Sequence, residues 1–206
     1  MNKTLLASIT AFTLTGCATV DIQEVANRLY AMTPTDFAKR TTVKNDPMSE
    51  YIIVSSLLGW EDDIHLIYTK NKNTGKESYG VGANIEYHDD RARRYKHITT
   101  IVDGGKIQRL PFRQIGSDVN CRTLLSDVRR GICQHSEHRI AYVTREFLQT
   151  YANMFDQSKR QYARFSFRAQ NGPNQDRTLV LQEISGFLKR VNSLRGFTQT
   201  KTSATQ

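Results

Sequence analysis

The sequence predicts an α+β fold, an antiparallel β-sheet of about six strands with two or three helices packed on one side. Three observations carry this expectation. Period-two alternation of β-branched and aromatic residues dominates the stretch from Glu50 to Phe112. Apolar residues at helical spacing appear instead near the two ends of the chain. Strands and helices also come in blocks rather than in the regular alternation that a parallel sheet with crossover helices would need.

The chain opens with Asn2 and Lys3, followed by Leu5, Leu6, Ala7, Ile9, Ala11, Phe12 and Leu14 among small hydroxyl residues. A positive start and a short apolar run form a secretory leader. The run from Thr4 to Thr15 covers 12 residues, whereas a helix needs roughly 20 apolar residues to span a bilayer. Residues 1–16 are therefore expected to be cleaved rather than retained as a membrane span.

Leu14-Thr15-Gly16-Cys17 closes the leader with a branched apolar residue, a small residue, glycine and cysteine. This resembles the lipobox of bacterial lipoproteins. The resemblance implies a diacylglyceryl group on the Cys17 sulfur, cleavage before Cys17 and acylation of the new amino terminus. One acyl chain holds a protein only marginally, at ~0.8 kcal/mol per buried methylene, while two or three make a stable anchor. Ala18 follows the cysteine where aspartate would imply inner-membrane retention in the best-known sorting rule. The resemblance thus implies the periplasmic face of the outer membrane.

Residues 17–48 read as an N-terminal helix and linker. In "VDIQEVANRLYAM", Ile22, Val25 and Leu29 share one helical face, with Asp21 as N-cap. Pro34 and Pro47 bracket a polar segment expected to be irregular or partly helical.

Residues 49–197 read as a single α+β domain. "EYIIVSSLLGW" begins the strands. Ile64, Leu66 and Tyr68 then share one face, as do Tyr79, Val81, Ala83, Ile85 and Tyr87, with Asn73-Thr74-Gly75 as the turn between them. "YKHITTIVDGGKIQRLPF" repeats the signal around Asp103-Gly104-Gly105. A meander of consecutive strands is the economical arrangement. Thr144 then caps a helix whose Phe147, Leu148, Tyr151, Met154 and Phe155 face the core. In "RQYARFSFR", Ala163, Phe165 and Phe167 face inward, while Arg160, Tyr162, Arg164 and Arg168 face out. Leu181, Ile184, Phe187, Leu188 and Val191 form a last helical stripe, and residues 198–206 are expected as a polar, disordered tail.

With Cys17 assigned to lipid, Cys121 and Cys133 remain as an even pair in an oxidising compartment, and they are expected to form a disulfide.

Catalytic signals are weak. Cys133, His135 and Glu137 alternate along one strand face at a spacing that suits a metal ligand set, yet the bridge consumes the cysteine. Glu86, His88, Asp89 and Asp90 sit where strand meets loop and read as a solvated turn. Glu61-Asp62-Asp63 beside Trp60 could form a carboxylate pair next to a stacking ring. Serine-hydrolase, zinc-protease, nucleotide and dinucleotide motifs are all absent from the sequence. No catalytic residue, metal site or cofactor is assigned, and binding is favoured over catalysis. The alternative is an envelope hydrolase acting on peptidoglycan or glycan, with Glu61, Asp62, His88 or His135 as its acids and bases.

The charge balance points to a partner. The formal net charge is +9, and Arg91, Arg93, Arg94 and Lys96 fall within six positions. Arg160, Arg164 and Arg168 flank Tyr162 on the outward side of one strand. These seven residues are the candidate contacts for an acidic protein or an anionic envelope polymer, beside a membrane reached through the lipid anchor. The compartment disfavours nucleic acid. The expected role is binding or scaffolding in an envelope assembly.

Overall fold

The computed structural model describes residues 22–56, 64–102, 105–121 and 132–202. Among these residues are four helices and ten strands: α1 (Ile22–Ala31), α2 (Pro34–Arg40), β1 (Thr42–Lys44), β2 (Tyr51–Ser55), β3 (Ile64–Asn71), β4 (Glu77–Asp89), β5 (Tyr95–Ile101), β6 (Ile107–Pro111), β7 (Arg113–Asn120), β8 (Cys133–Val143), α3 (Arg145–Asn153), β9 (Tyr162–Ala169), β10 (Gln175–Val180) and α4 (Leu181–Thr202). The fold is α+β and mostly sheet. Cys17, Asp21, Trp60, Glu61 and Asp62 lie outside the described residues.

Period-two patterning sets which side of each strand is buried. Ile64, Leu66 and Tyr68 of β3, and Tyr79, Val81, Ala83, Ile85 and Tyr87 of β4, are all buried. Asn71 Oδ1 accepts from the backbone N–H of Asn73 and Thr74, and Gly75 takes φ +70° to reverse the chain.

The strands form two antiparallel sheets. A six-stranded sheet has the order β1-β2-β3-β4-β8-β7, and a four-stranded sheet has the order β10-β9-β5-β6. The expected meander therefore stops at β4, whose next neighbour is β8. The chain leaves β4 through residues 90–94 to start the second sheet and returns to the first at Phe112, between β6 and β7. A run of alternating residues specifies strands and their buried side, but not which sheet each joins. Inner faces of both sheets and the apolar sides of α3 and α4 share one core, with Tyr95, Ile98, Phe165, Phe167, Leu148, Phe187 and Val191 near its centre.

The helices follow their caps and stripes. Thr144 Oγ1 accepts from Phe147 N at 3.1 Å to start α3, burying Phe147, Leu148 and Tyr151. Met154, expected on the buried side, is the C-cap and is 39% exposed, because the helix ends there before another turn can carry it inward. In α4, Leu181, Ile184, Phe187, Leu188 and Val191 are all buried, and the helix continues to Thr202, into the stretch expected as a tail. The segment expected as a linker carries α2 and β1. Thr33 and Asp36 form a capping box at the start of α2, Phe37 is buried, and Gly186 of α4 lies against α2.

Cys121 and Cys133 form a disulfide joining the end of β7 to the start of β8. No described helix is long and apolar enough to cross a membrane.

Candidate functional site: the outer face of the four-stranded sheet

The second sheet buries one face and leaves the other open. Its inner face carries Ile98, Thr100, Ala163, Phe165, Phe167 and Leu179, all buried. Register then dictates the outer face. Across β6, β5 and β9, Ile107 pairs with Ile101, Arg109 with Thr99, and His97 with Arg168; Ser166 opposes Thr99 on one side and Asp176 of β10 on the other. Part of this face forms an open hollow of about 610 Å³ lined by Thr99, Ile101, Ile107, Arg164, Arg168 and Asp176, among others.

The electrostatics of this face are uneven. Arg164 forms an ion pair with Asp176, and that hydrogen bond holds the Asp176 carboxyl below its usual range. Arg168 donates from Nε to Thr99 Oγ1 at 3.1 Å. Arg109 donates from Nη2 to Nδ1 of His97 at 3.1 Å. A guanidinium has only donors, so His97 accepts as a neutral ring. Partial burial, then the charges of Arg109 and Arg168, push the His97 pKa down. Among the described residues of this face, three arginines meet one carboxylate. The excess charge lies at the Arg109–His97–Arg168 end, where no ion pair forms among the described residues.

The residues singled out from sequence separate into two groups. Arg164 and Arg168 lie on this face as the β9 pattern predicts, with Tyr162 56% exposed beside them. Arg160 precedes the strand and places its guanidinium carbon 5.4 Å from the ring centre of Tyr30 in α1. Arg91 lies beside Asp90. Arg93 is consumed internally, bonded to Asp89 at 3.0 Å and stacked 4.5 Å over Tyr87. Arg94 and Lys96 are exposed without an ion-pair partner among the described residues, and the Arg93 and Arg94 carbonyls accept from Gln170 N, just past β9. His97, Arg109 and Asp176 were missed by sequence reasoning. Each is isolated in its own strand, and only the pairing of β6, β5, β9 and β10 brings them together.

The Cys133–His135–Glu137 row has a structural explanation. Cys133 is in the disulfide, and His135 stacks on Tyr87 with ring centres 5.0 Å apart and its Nε2 3.2 Å from the Asp89 carbonyl oxygen. Glu137, 4% exposed, accepts from Tyr87 OH at 2.5 Å, Arg94 N at 3.2 Å and Arg139 Nε at 2.6 Å. Burial alone would raise its pKa, but the Tyr87 and Arg139 hydrogen bonds outweigh that and hold it below the ordinary carboxylate range. Arg94 adopts φ +53° in delivering its N–H. A carboxylate so saturated with donors is suited to fixing the 90–94 crossover between the sheets rather than to proton transfer. His88 and His135 project to opposite faces of the first sheet: His135 is opposite Tyr87 in register, and His88 is the next residue along β4. The structure does not bring these two together.

Comparison with known proteins adds no family. No protein-family model, curated protein or solved structure matches the chain.

Proposed function

We propose that this protein is a lipid-anchored component of a bacterial envelope, tethered through Cys17 to the periplasmic face of the outer membrane, where it binds or scaffolds an anionic partner. The observation that carries the binding role is the open, net-positive face of the four-stranded sheet, with Arg109, Arg164 and Arg168 against the single carboxylate of Asp176 among its described residues. A sheet face left bare over a filled core is where the fold has spare surface to bind with. Its charge suits an acidic protein or an anionic envelope polymer.

The location rests on the leader and the Leu14–Cys17 motif, and the disulfide is of the kind an oxidising compartment permits. Anchoring keeps the domain close to its partner and so raises their effective concentration.

The test has two arms. Mass analysis of the natural product should find residues 1–16 removed and acyl chains on Cys17; an unmodified Cys17 removes the anchor. Pull-downs of the full chain from detergent extracts should lose their partner as ionic strength rises and in the triple variant Arg109→Glu, Arg164→Glu, Arg168→Glu. Equal recovery in all conditions removes the electrostatic docking face.

A further inference from the structure

Beside the basic row, β6 leaves part of its backbone unused. Among the described residues it pairs with β5 alone and ends the four-stranded sheet. Two bonds fix the phase of that ladder: Val102 N donates to Lys106 O and Phe112 N to Lys96 O, each at 2.9 Å. In an antiparallel pair, residues that exchange backbone bonds alternate with residues that do not. Lys106, Gln108, Leu110 and Phe112 therefore turn their backbone groups toward β5. Ile107 and Arg109 turn theirs away, and no described residue meets them. Pro111, on the same outward phase, has no N–H to leave bare, which is where proline is tolerated in an edge strand.

We propose that β6 accepts an extended acidic segment of a partner protein as an added strand. This rests on the basic-face reading above and narrows its partner to a peptide. An added strand bonds to the free N–H and C=O of Ile107 and Arg109 and sends alternate side chains onto the outer face. Ile107 is 70% exposed and its cross-strand neighbour Ile101 is 56% exposed. A residue opposite Ile107 therefore meets an apolar surface. One two positions along meets the Arg109 guanidinium, with Arg168 farther across the face. The segment recognised has an apolar and an acidic residue at i and i+2.

A glycan or a nucleic acid offers no peptide backbone to the strand edge, and the exposed ring of this face, Tyr162, lies on β9, two strands away from β6. The two edges of the six-stranded sheet fit less well. β7 is bulged between Gln114 and Gly116, and β1 is three residues long. Bulges and short strands blunt an edge against pairing.

The test measures fluorescence anisotropy with the full chain in detergent. The probe is a labelled ten-residue peptide repeating Val-Thr-Glu-Thr, which places valine and glutamate at i and i+2 on one face, set against the same peptide N-methylated at alternate amides and against dextran sulfate. The unmodified peptide should bind, N-methylation and Ile107→Pro should each weaken it at least tenfold, and Arg109→Glu should do the same. If Ile107→Pro does not fold, by circular dichroism, the N-methylated peptide decides alone. Equal binding of both peptides, or binding of dextran sulfate alone, with arginine dependence kept, overturns strand addition and leaves the basic face intact. Binding of peptide and dextran sulfate indifferent to Arg109→Glu and Arg168→Glu, or no binding of either, overturns both.

Discussion

Arg109 donates to Nδ1 of His97 at 3.1 Å, so two residues on neighbouring strands hold a neutral imidazole beside a second cation, Arg168. The arrangement is tolerable only while the ring is uncharged. His97 should titrate below the ordinary histidine value near 6.5. Its depressed pKa means that the unfolded chain takes up the proton first on acidification. Its contribution to stability is thus complete above about pH 6.5 and is lost as pH falls through the folded value. An imidazole titration by NMR checks this, with Arg109→Ala and Arg168→Ala each moving the midpoint upward. A midpoint at or above 6.5 in the unaltered protein contradicts it.

Glu137 and Arg139 are 4% and 6% exposed and bonded at 2.6 Å. Removing one partner of a buried pair strands the other charge, at a cost of about 3–5 kcal/mol. Glu137→Ala should therefore lower stability by that order in urea unfolding, with the loss felt at the 90–94 crossover held by its carboxylate. A change under about 1 kcal/mol would show that water reaches Arg139 freely.

At Gly186 two effects oppose each other. Alanine in a helix interior is favoured over glycine by about 1 kcal/mol. A Cβ here would lie 2.5 Å from both the Pro34 carbonyl oxygen and Phe37 Cβ, and 3.0 Å from Ala38 N. Two of those atoms are backbone, so α2 must move, and overpacking of this kind costs about 1–3 kcal/mol. Gly186→Ala should destabilise, seen as a lower melting temperature; a rise would mean that α2 is not seated on α4.

The Cys121–Cys133 bridge, with a sequence separation of 12, should stabilise by about 2–3 kcal/mol through the entropy of the loop it closes. Denaturant unfolding with and without reductant, alongside the Cys121→Ser, Cys133→Ser double variant, gives that difference. Coincident curves would remove the bridge from the account of stability.

These features were unevenly legible in the sequence. Burial of Ile64, Leu66 and Tyr68, of Tyr79 through Tyr87 at alternate positions, and of Ala163, Phe165 and Phe167 follows from alternation, which is a local property. The Thr144 cap and the disulfide are local chemistry too. The division into two sheets was not legible, because it depends on where β4 finds its neighbour, β8, many residues away in sequence. Short or polar strands such as β7, exposed along nearly its whole length, carry no buried pattern to read. For the candidate site, Arg164 and Arg168 were visible as one outward stripe. Arg93 gave a false lead because a run of basic residues does not reveal that one of them pairs with Asp89 and stacks on Tyr87.

The measurement that bears most directly on the docking face is site-specific photocrosslinking in intact cells from position 166, where Ser166 lies between Thr99 and Asp176 at the middle of the outer face. A discrete adduct that disappears in Arg109→Glu, Arg168→Glu protein of unchanged abundance is the result expected of an anionic partner held on this face. The absence of any adduct, or one that persists undiminished after both charges are reversed, would contradict it.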